Sequence, residues 1–334
     1  MKVNIFKYFI ISVAAMSIAC SCNKSSPDTP AAETPSVIAF SNVTTKATVS
    51  DLQKNGFGVW AFINNAKVTN ELILENAKVT YNSGAWEYSP LRYWVNESVF
   101  TFLAAYPYSE NNEGFTLDPS NSSLNLTLSE TPAKEDYLIA TNVTDTSVEG
   151  FSKTVDLQFS HALTSVRLNI WRDGVKHQND QMRVRKVTLR NIRKAGTYSS
   201  STGWTPDNDK LTLEKIYEGG SDVDNIGAAV LENGALETGG QAANPFDDMM
   251  LIPQTLDGNS PVSLKIQYEL KRQNAANWET AELETVLPSV TWEPNRRYTY
   301  NVVLSSVTDI TVYYIQTKVD PWGTPQVGGT VIIK

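Results

Sequence analysis

Residues 262–270 read VSLKIQYEL, and this stretch decides the fold class. Its apolar residues occupy every second position and are separated by polar ones: Val262, Leu264, Ile266, Tyr268 and Leu270. Alternate side chains of a β-strand point to opposite faces of the sheet, so this pattern predicts a strand with one buried face. The stretch therefore indicates a β-sheet protein.

The same alternation recurs along most of the chain. It is found in residues 99–107, 124–128, 155–159, 166–170, 298–304 and 313–319. Clusters of Asn, Gly, Asp and Pro lie between these runs, and helical periodicity is hard to find. Each strand must bury its apolar face against a second sheet, so the pattern predicts an all-β protein built of antiparallel β-sandwiches.

The length of 334 residues suits about two domains of roughly 150 residues each. A polar stretch at residues 141–150 precedes renewed alternation at Val155, so we expect a boundary near Gly150 and domains at 36–150 and 151–334. Residues 217–245 are rich in Gly, Asn, Ala and acidic groups and have no strand period. They predict a long loop or a short helix.

The N-terminus indicates export. Lys2 and Lys7 precede an apolar run at residues 8–19, which is too short, at about 1.5 Å per helical residue, to cross about 30 Å of hydrocarbon. The run ends in a small residue before a cysteine, which resembles the lipobox of bacterial lipoproteins. We expect a signal peptide at 1–22 with acylation of Cys22, or alternatively of Cys20; an ordinary secretory signal is the other interpretation.

Residues 23–35 are rich in Pro, Ser, Ala and Thr and lack an apolar period. This composition predicts a flexible tether between the lipid and the folded body.

The composition disfavours several functions. A net charge of −8 argues against nucleic-acid binding, and two His and two Cys leave few ligands for a metal or residues for a disulfide framework. We read His161 as a structural residue of a strand, His177 as a solvated loop residue, and Asp247 and Asp248 as solvated loop charges. No hydrolase or metalloprotease motif is present, so we predict no catalytic residue, no metal, no cofactor and no enzyme activity.

Short segments in a fixed order resemble the fimbrillin family, the lipoprotein precursors of type V pili and their associated anchor and tip proteins. They are IAF (38–40), TTKA (44–47), GFGVWA (56–61), YW (93–94), FLAAYP (102–107), FSHAL (159–163), LIPQ (251–254), TWEP (291–294) and YTY (298–300). The resemblance implies two tandem transthyretin-like antiparallel β-sandwich domains. It also implies assembly by donor-strand exchange, in which a protease removes the first strand and the open groove accepts a strand from another subunit.

Carried onto this chain, the resemblance places the removed strand at residues 36–43 and the cut between Lys46 and Ala47. The family usually has Arg at this position, so either a lysine-tolerant protease acts or the subunit keeps its first strand as an anchor. The donor would be the tail, residues 324–334, whose β-prone end is Val331, Ile332 and Ile333. The alternative is that this tail is the final strand of its own domain.

The predicted function is therefore a structural or adhesive pilus subunit at the outer membrane surface and in the fimbrium. Its predicted partners are other fimbrillin-type subunits, the outer membrane through the lipid anchor, and ligands on host or bacterial surfaces. The alternative function is a surface glycan-binding lipoprotein of a polysaccharide uptake system. For that function Trp204 and Trp278, which are flanked by polar turn residues, are the candidates for stacking on sugar rings.

Overall fold

A computed structural model describes residues 35–45, 49–111, 114–217, 225–232, 235–256, 261–306, 309–318 and 331–333. Ser36–Lys334 form one compact unit. Strands dominate the described residues, so the predicted all-β class is confirmed. None of the described helices has the length and apolar character needed to span a membrane.

The first part of the unit contains one helix and nine strands in the described residues. They are β1 (Ala39–Thr45), α1 (Val49–Asn55), β2 (Phe57–Asn64), β3 (Glu71–Asn82), β4 (Ala85–Glu87), β5 (Val99–Tyr106), β6 (Thr116–Asp118), β7 (Ser123–Leu128), β8 (Leu138–Asp145) and β9 (Thr154–His161).

The remaining described strands follow without a helix between them. They are β10 (Thr164–Asp173), β11 (Gln181–Arg193), β12 (Gly196–Ser199), β13 (Gly203–Pro206), β14 (Lys210–Ile216), β15 (Ala228–Glu232), β16 (Ala235–Gly239), β17 (Met249–Leu251), β18 (Gln254–Thr255), β19 (Ser263–Lys271), β20 (Glu279–Val286), β21 (Thr291–Trp292), β22 (Arg296–Ser306), β23 (Asp309–Lys318) and β24 (Val331–Ile333).

The first sheet has seven strands in the order β1-β9-β8-β5-β2-β3-β4, and apolar layers cover both of its faces. In β5, Phe100 and Phe102 belong to the cluster on one face, and Leu103 belongs to the cluster on the other. The alternation at residues 99–107 predicts a single buried face. Because β5 is a central strand between two layers, both faces are buried.

A four-stranded sheet, β13-β12-β7-β6, packs on the second face of the first sheet. Its strands β12 and β13 come from residues beyond 150, and β9 pairs with both β8 and β1. The boundary expected near Gly150 therefore does not coincide with the strand pairing. The polar stretch that suggested it ends in the connection between the neighbouring strands β8 and β9.

The rest of the unit contains a second pair of sheets. One has the order β16-β15-β10-β22-β23-β24, with β17 also on β10, and the other has the order β14-β11-β19-β20. The largest apolar cluster draws on alternate residues of both sheets, including Ile170 from β10 and Ile266 from β19. The alternation of β19 is confirmed, since its odd-numbered residues are half-buried and its even-numbered residues are buried.

One local expectation is wrong, and the predicted antiparallel sheets include three parallel pairings among the described strands. In the region 217–245, the described residues include the hairpin β15–β16, in which Ala228 pairs with Gly239. The strands are also not antiparallel throughout, because β1 runs parallel to β9 and β10 runs parallel to both β15 and β22. These partners lie far apart in sequence, and a long connection can join strands in parallel.

Candidate functional site

The first strand, β1, lies at one edge of the seven-stranded sheet. It pairs in parallel with β9, from Ala39 opposite Thr154 to Thr45 opposite Phe159, with a shift in register between Ser41 and Thr44. An edge strand is held by one neighbour in its sheet, so it is the kind of strand that another extended segment can replace.

The apolar side chains of this segment fill an aromatic recess. Ile38 is fully buried, and Phe40 and Val43 are 5% and 7% exposed. The Phe40 ring meets three other rings edge-on, at centroid distances of 5.4 Å to Tyr88, 6.1 Å to Phe102 and 6.5 Å to Phe57. We call this recess the first-strand slot, and its occupant must supply apolar side chains facing one way.

Residues 88–95, which we call the strap, hold the other side of the segment at its N-terminal end. The backbone N–H of Ile38 donates to the carbonyl oxygen of Arg92 at 2.9 Å, and the N–H of Trp94 donates to the carbonyl oxygen of Ser36 at 3.0 Å. The segment therefore runs between β9 and the strap, with backbone hydrogen bonds to both.

Tyr88 connects the strap to the first strand through its side chain. Its buried hydroxyl donates to the carbonyl oxygen of Ile38 at 2.9 Å and accepts the backbone N–H of Arg92 at 3.2 Å. Burial raises the pKa of the Tyr88 phenol above its usual value, so the phenol keeps its proton and remains a donor. This arrangement fixes the ring that forms one wall of the first-strand slot.

These contacts can be supplied by many extended segments. They comprise backbone hydrogen bonds to β9 and to the strap, and apolar packing in the aromatic recess. None of them depends on an unusual side chain. Removal of the strand would leave donors and acceptors of β9 and of the strap unpaired beside an apolar recess. A second extended segment with apolar residues at alternate positions would satisfy both requirements.

The predicted processing and lipidation sites lie outside the described residues. Lys46 and Ala47 fall between β1 and α1, and Cys20 and Cys22 precede the described part of the chain. Cleavage after Lys46 and acylation of either cysteine stay predictions.

The predicted donor residues Val331, Ile332 and Ile333 form β24, which pairs antiparallel with β23 of the same chain. The pairing covers three residues of β23, from Val312 opposite Ile333 to Tyr314 opposite Val331. The tail thus forms an edge strand within its own chain here, and its donation to another subunit stays a prediction.

The two tryptophans proposed for sugar stacking lie apart in the chain, Trp204 on β13 and Trp278 in the connection between β19 and β20. Trp204, on β13, donates its indole N–H to the carbonyl oxygen of Ala162 at 2.6 Å and packs on Tyr198 at 5.4 Å between ring centroids. Trp278 has the guanidinium of Arg183 over its ring, with the central carbon 4.0 Å from the centroid. Each ring therefore already has a partner within the chain.

The two histidines are both buried. His161 Nδ1 lies 2.8 Å from a carboxylate oxygen of Asp136, which agrees with a structural role. The expectation of a solvated His177 is wrong, because its Nδ1 lies 2.8 Å from Asp180 and its Nε2 lies 3.0 Å from the carbonyl oxygen of Ser305. The turn after Asp173 folds the ring inward, towards the end of β22.

Electrostatics of the acidic residues also favour structural roles. Burial opposes ionisation of Asp180, but hydrogen bonds from the His177 ring and the Gln273 N–H keep the pKa of Asp180 below its usual range. Asp248 is an ion-pair partner of Arg167 and Arg297 instead of a solvated charge. No group of three or more His, Cys, Asp or Glu that could hold a metal occurs within the part of the chain described above.

The fold and the slot define an all-β protein whose first sheet ends in an edge strand with buried apolar side chains. A family profile described as fimbrillin-like matches residues 45–322, and the chain belongs to this family. It is similar to the crystal structure of a fimbrial protein from Bacteroides vulgatus, with 18% identity and a TM-score of 0.60, covering 85% of this chain and 99% of that one.

A second solved structure, of a candidate cell adhesion protein from Bacteroides uniformis, has 16% identity and a TM-score of 0.47. The match covers 85% of this chain and 99% of that one. A search of curated proteins gave no significant match.

Proposed function

We propose that this chain is a subunit of a fimbrial polymer that assembles by donor-strand exchange. In this proposal the chain is exported as a lipoprotein acylated at Cys22 or Cys20, and a protease cuts between Lys46 and Ala47 at the cell surface. The first strand then leaves, and an extended segment of another subunit takes its place. Membership of the fimbrillin-like family and the fold shared with a fimbrial protein support this role.

The observation that carries the proposal is the environment of the first strand. It is an edge strand, its apolar residues occupy an aromatic recess, and its backbone bonds to β9 and to the strap. The predicted cut directly follows β1, which ends at Thr45. Cleavage there would convert a covalently attached strand into a ligand that can be exchanged.

The donor in this proposal is the C-terminal tail. Val331 and Ile333 are two residues apart and so share one face of an extended strand, as Ile38 and Phe40 do. In the chain described here, the pairing of β24 covers only a short part of β23.

The proposal is tested on surface material from cells that make the protein. Mass spectrometry should find a mature N-terminus at Ala47, and polymer should appear as a ladder on native gels. Lys46→Gln should abolish both the new N-terminus and the ladder, whereas the matched control Lys46→Arg should keep both. Deletion of residues 324–334 should keep the new N-terminus but abolish the ladder.

Two results would contradict the proposal. A normal ladder after tail deletion would remove the tail as donor, and a normal ladder in Lys46→Gln would separate assembly from this cut.

A further inference from the structure

The outer side of the strap carries three exposed apolar side chains in a row. Leu91, Tyr93 and Val95 are 50%, 49% and 47% exposed and occupy alternate positions. Between two of them Trp94 is buried, at 6% exposed, and stacks edge-on against Phe100 at 4.8 Å. One side of the strap therefore packs on the core through Trp94, and the other side exposes a row of apolar side chains.

Val37 of the first-strand segment extends this row. It forms an antiparallel bridge with Tyr93 and is 37% exposed. Residues directly opposite each other in an antiparallel bridge project their side chains to the same face. Val37 and Tyr93 therefore lie side by side on one exposed face, and Leu91 and Val95 follow Tyr93 at alternate positions of the strap. We call these four residues the strap patch, and exposed apolar residues grouped in this way are typical of a contact surface.

The direction of the first strand indicates on which side of the slot a donor subunit would lie. β1 runs parallel to β9, and Ser36 and Val37 form the N-terminal entrance to the first-strand slot. A replacement strand that keeps this direction has its own N-terminal end at that entrance. If the replacement is a C-terminal tail, everything that precedes the tail in the donor subunit must lie on the entrance side.

We infer that the strap patch is the docking surface for the body of the donor subunit, a second fimbrillin-type subunit. This inference rests on the proposed donor-strand exchange and adds a second contact to it. The tail fills the slot, and the donor body covers Leu91, Tyr93 and Val95. Val37 would leave with the first strand, so the donor tail takes its place at the edge of the patch.

The two contacts can be measured separately on a soluble chain that begins at Asn23. A limited lysine-specific digest releases the first strand, and mass spectrometry verifies the cut after Lys46. Binding of a synthetic peptide of residues 324–334 then reports the contacts of the tail, whereas the rate of ladder formation reports the contacts of the tail and of the donor body together. The variant carries Leu91→Ser, Tyr93→Ser and Val95→Ser, and its control carries Ile216→Ser and Val286→Ser, at residues of similar exposure.

Relative to the control, the patch variant should slow ladder formation at least tenfold more than it weakens peptide binding. Equal losses in both measurements would mean that the patch acts only through the tail and would overturn the inference. An equal ladder rate in both variants would overturn the inference and leave donor-strand exchange standing. Absence of peptide binding and of any ladder in the unsubstituted chain would overturn the proposed function and the inference together. An equal ladder rate accompanied by loss of binding to phospholipid vesicles would assign the patch to a membrane instead.

A labelled variant keeps the test independent of any folding defect. The chain from Asn23 onward contains no cysteine, so Tyr93→Cys can be labelled uniquely with an environment-sensitive dye. Ladder formation should shift its emission to the blue, and the matched label at Val286→Cys should not respond. An unchanged spectrum at position 93 in a formed ladder would show that the donor body lies elsewhere.

Discussion

Phe40 is the residue on which the first-strand slot depends most. Its ring meets Phe57, Tyr88 and Phe102 together, and these three residues belong to different parts of the first sheet and the strap. Apolar burial of an aromatic ring is among the largest single contributions to a fold. The same ring therefore stabilises the precursor and opposes release of its first strand.

Replacement of Phe40 by Ala should lower the free energy of unfolding by about 3–5 kcal/mol, the range found for truncation of a buried Phe. The measurement is urea unfolding of the uncleaved chain from Asn23, followed by tryptophan fluorescence. Ser41→Ala is the control on the same strand, because its hydroxyl bonds to Asp156 at an exposed position. That variant should change the free energy by no more than about 0.5 kcal/mol. Equal effects of the two substitutions would mean that the slot contributes little to stability.

At this scale the sequence predicted the strand but not its contacts. The resemblance to fimbrillins locates a first strand, whereas Tyr88 gives no signal of its role. Its hydroxyl bonds to a carbonyl 50 residues away, and no local pattern encodes such a pair. The burial of His177 cannot be read from the local sequence for the same reason, since its partner Ser305 lies 128 residues away.

Among the elements, the short helix α1 links the first strand to the rest of its sheet. Its Leu52 is fully buried, and the N–H of Gly56 donates to the carbonyl oxygen of Leu52 at 2.8 Å. Gly56 has a φ of +75°, which lets the chain leave the helix and enter β2 directly. The helix is the first described element after the proposed cut.

Gly56→Ala should destabilise the chain by more than about 1 kcal/mol, and by more than Gly84→Ala does. Both glycines have positive φ, so both substitutions carry the same kind of backbone strain. At Gly56 the added Cβ would also lie 2.5 Å from the carbonyl oxygen of Val79, whereas at Gly84 it would meet nothing within 4 Å. The melting temperatures of the two variants separate the two effects, because only Gly56→Ala adds a steric clash to the backbone strain. An equal fall in melting temperature in both variants would mean that the contact with Val79 adds nothing to the backbone strain.

Elements with a clean period of two were predictable, and elements defined by distant pairing were not. β19, β22 and β9 stand where the alternation placed them. The hairpin β15–β16 lies outside the alternating segments, because most of its residues are small or polar; β15 pairs with β10, and β16 pairs with β15. Parallel pairing of β1 with β9 was likewise invisible to local patterns.

For the whole molecule, the main finding is that the strands of the first part do not form a self-contained domain. Tyr198 and Trp204 come from beyond residue 150 and pack in the same cluster as Trp60 and Leu103 of the first sheet. Ile252, which follows β17, belongs to that cluster too. A boundary placed by composition at Gly150 misses this, because composition reports local polarity and not which distant strands share a core.

This shared core predicts that Ser36–Lys334 unfold in one cooperative transition. Differential scanning calorimetry should give a calorimetric enthalpy equal to the van't Hoff enthalpy.

Trp204→Ala should lower the temperature of the single transition by several degrees, since it deletes a packed indole and its hydrogen bond to Ala162. The control is Trp278→Ala on the β19–β20 hairpin, whose ring lies under Arg183 and outside the shared cluster, and it should shift the transition less. Two separate transitions, of which Trp204→Ala moves only one, would show that the sheets of the two parts melt independently. A single transition would mean that the strand slot and the sheet that contains β24 unfold together.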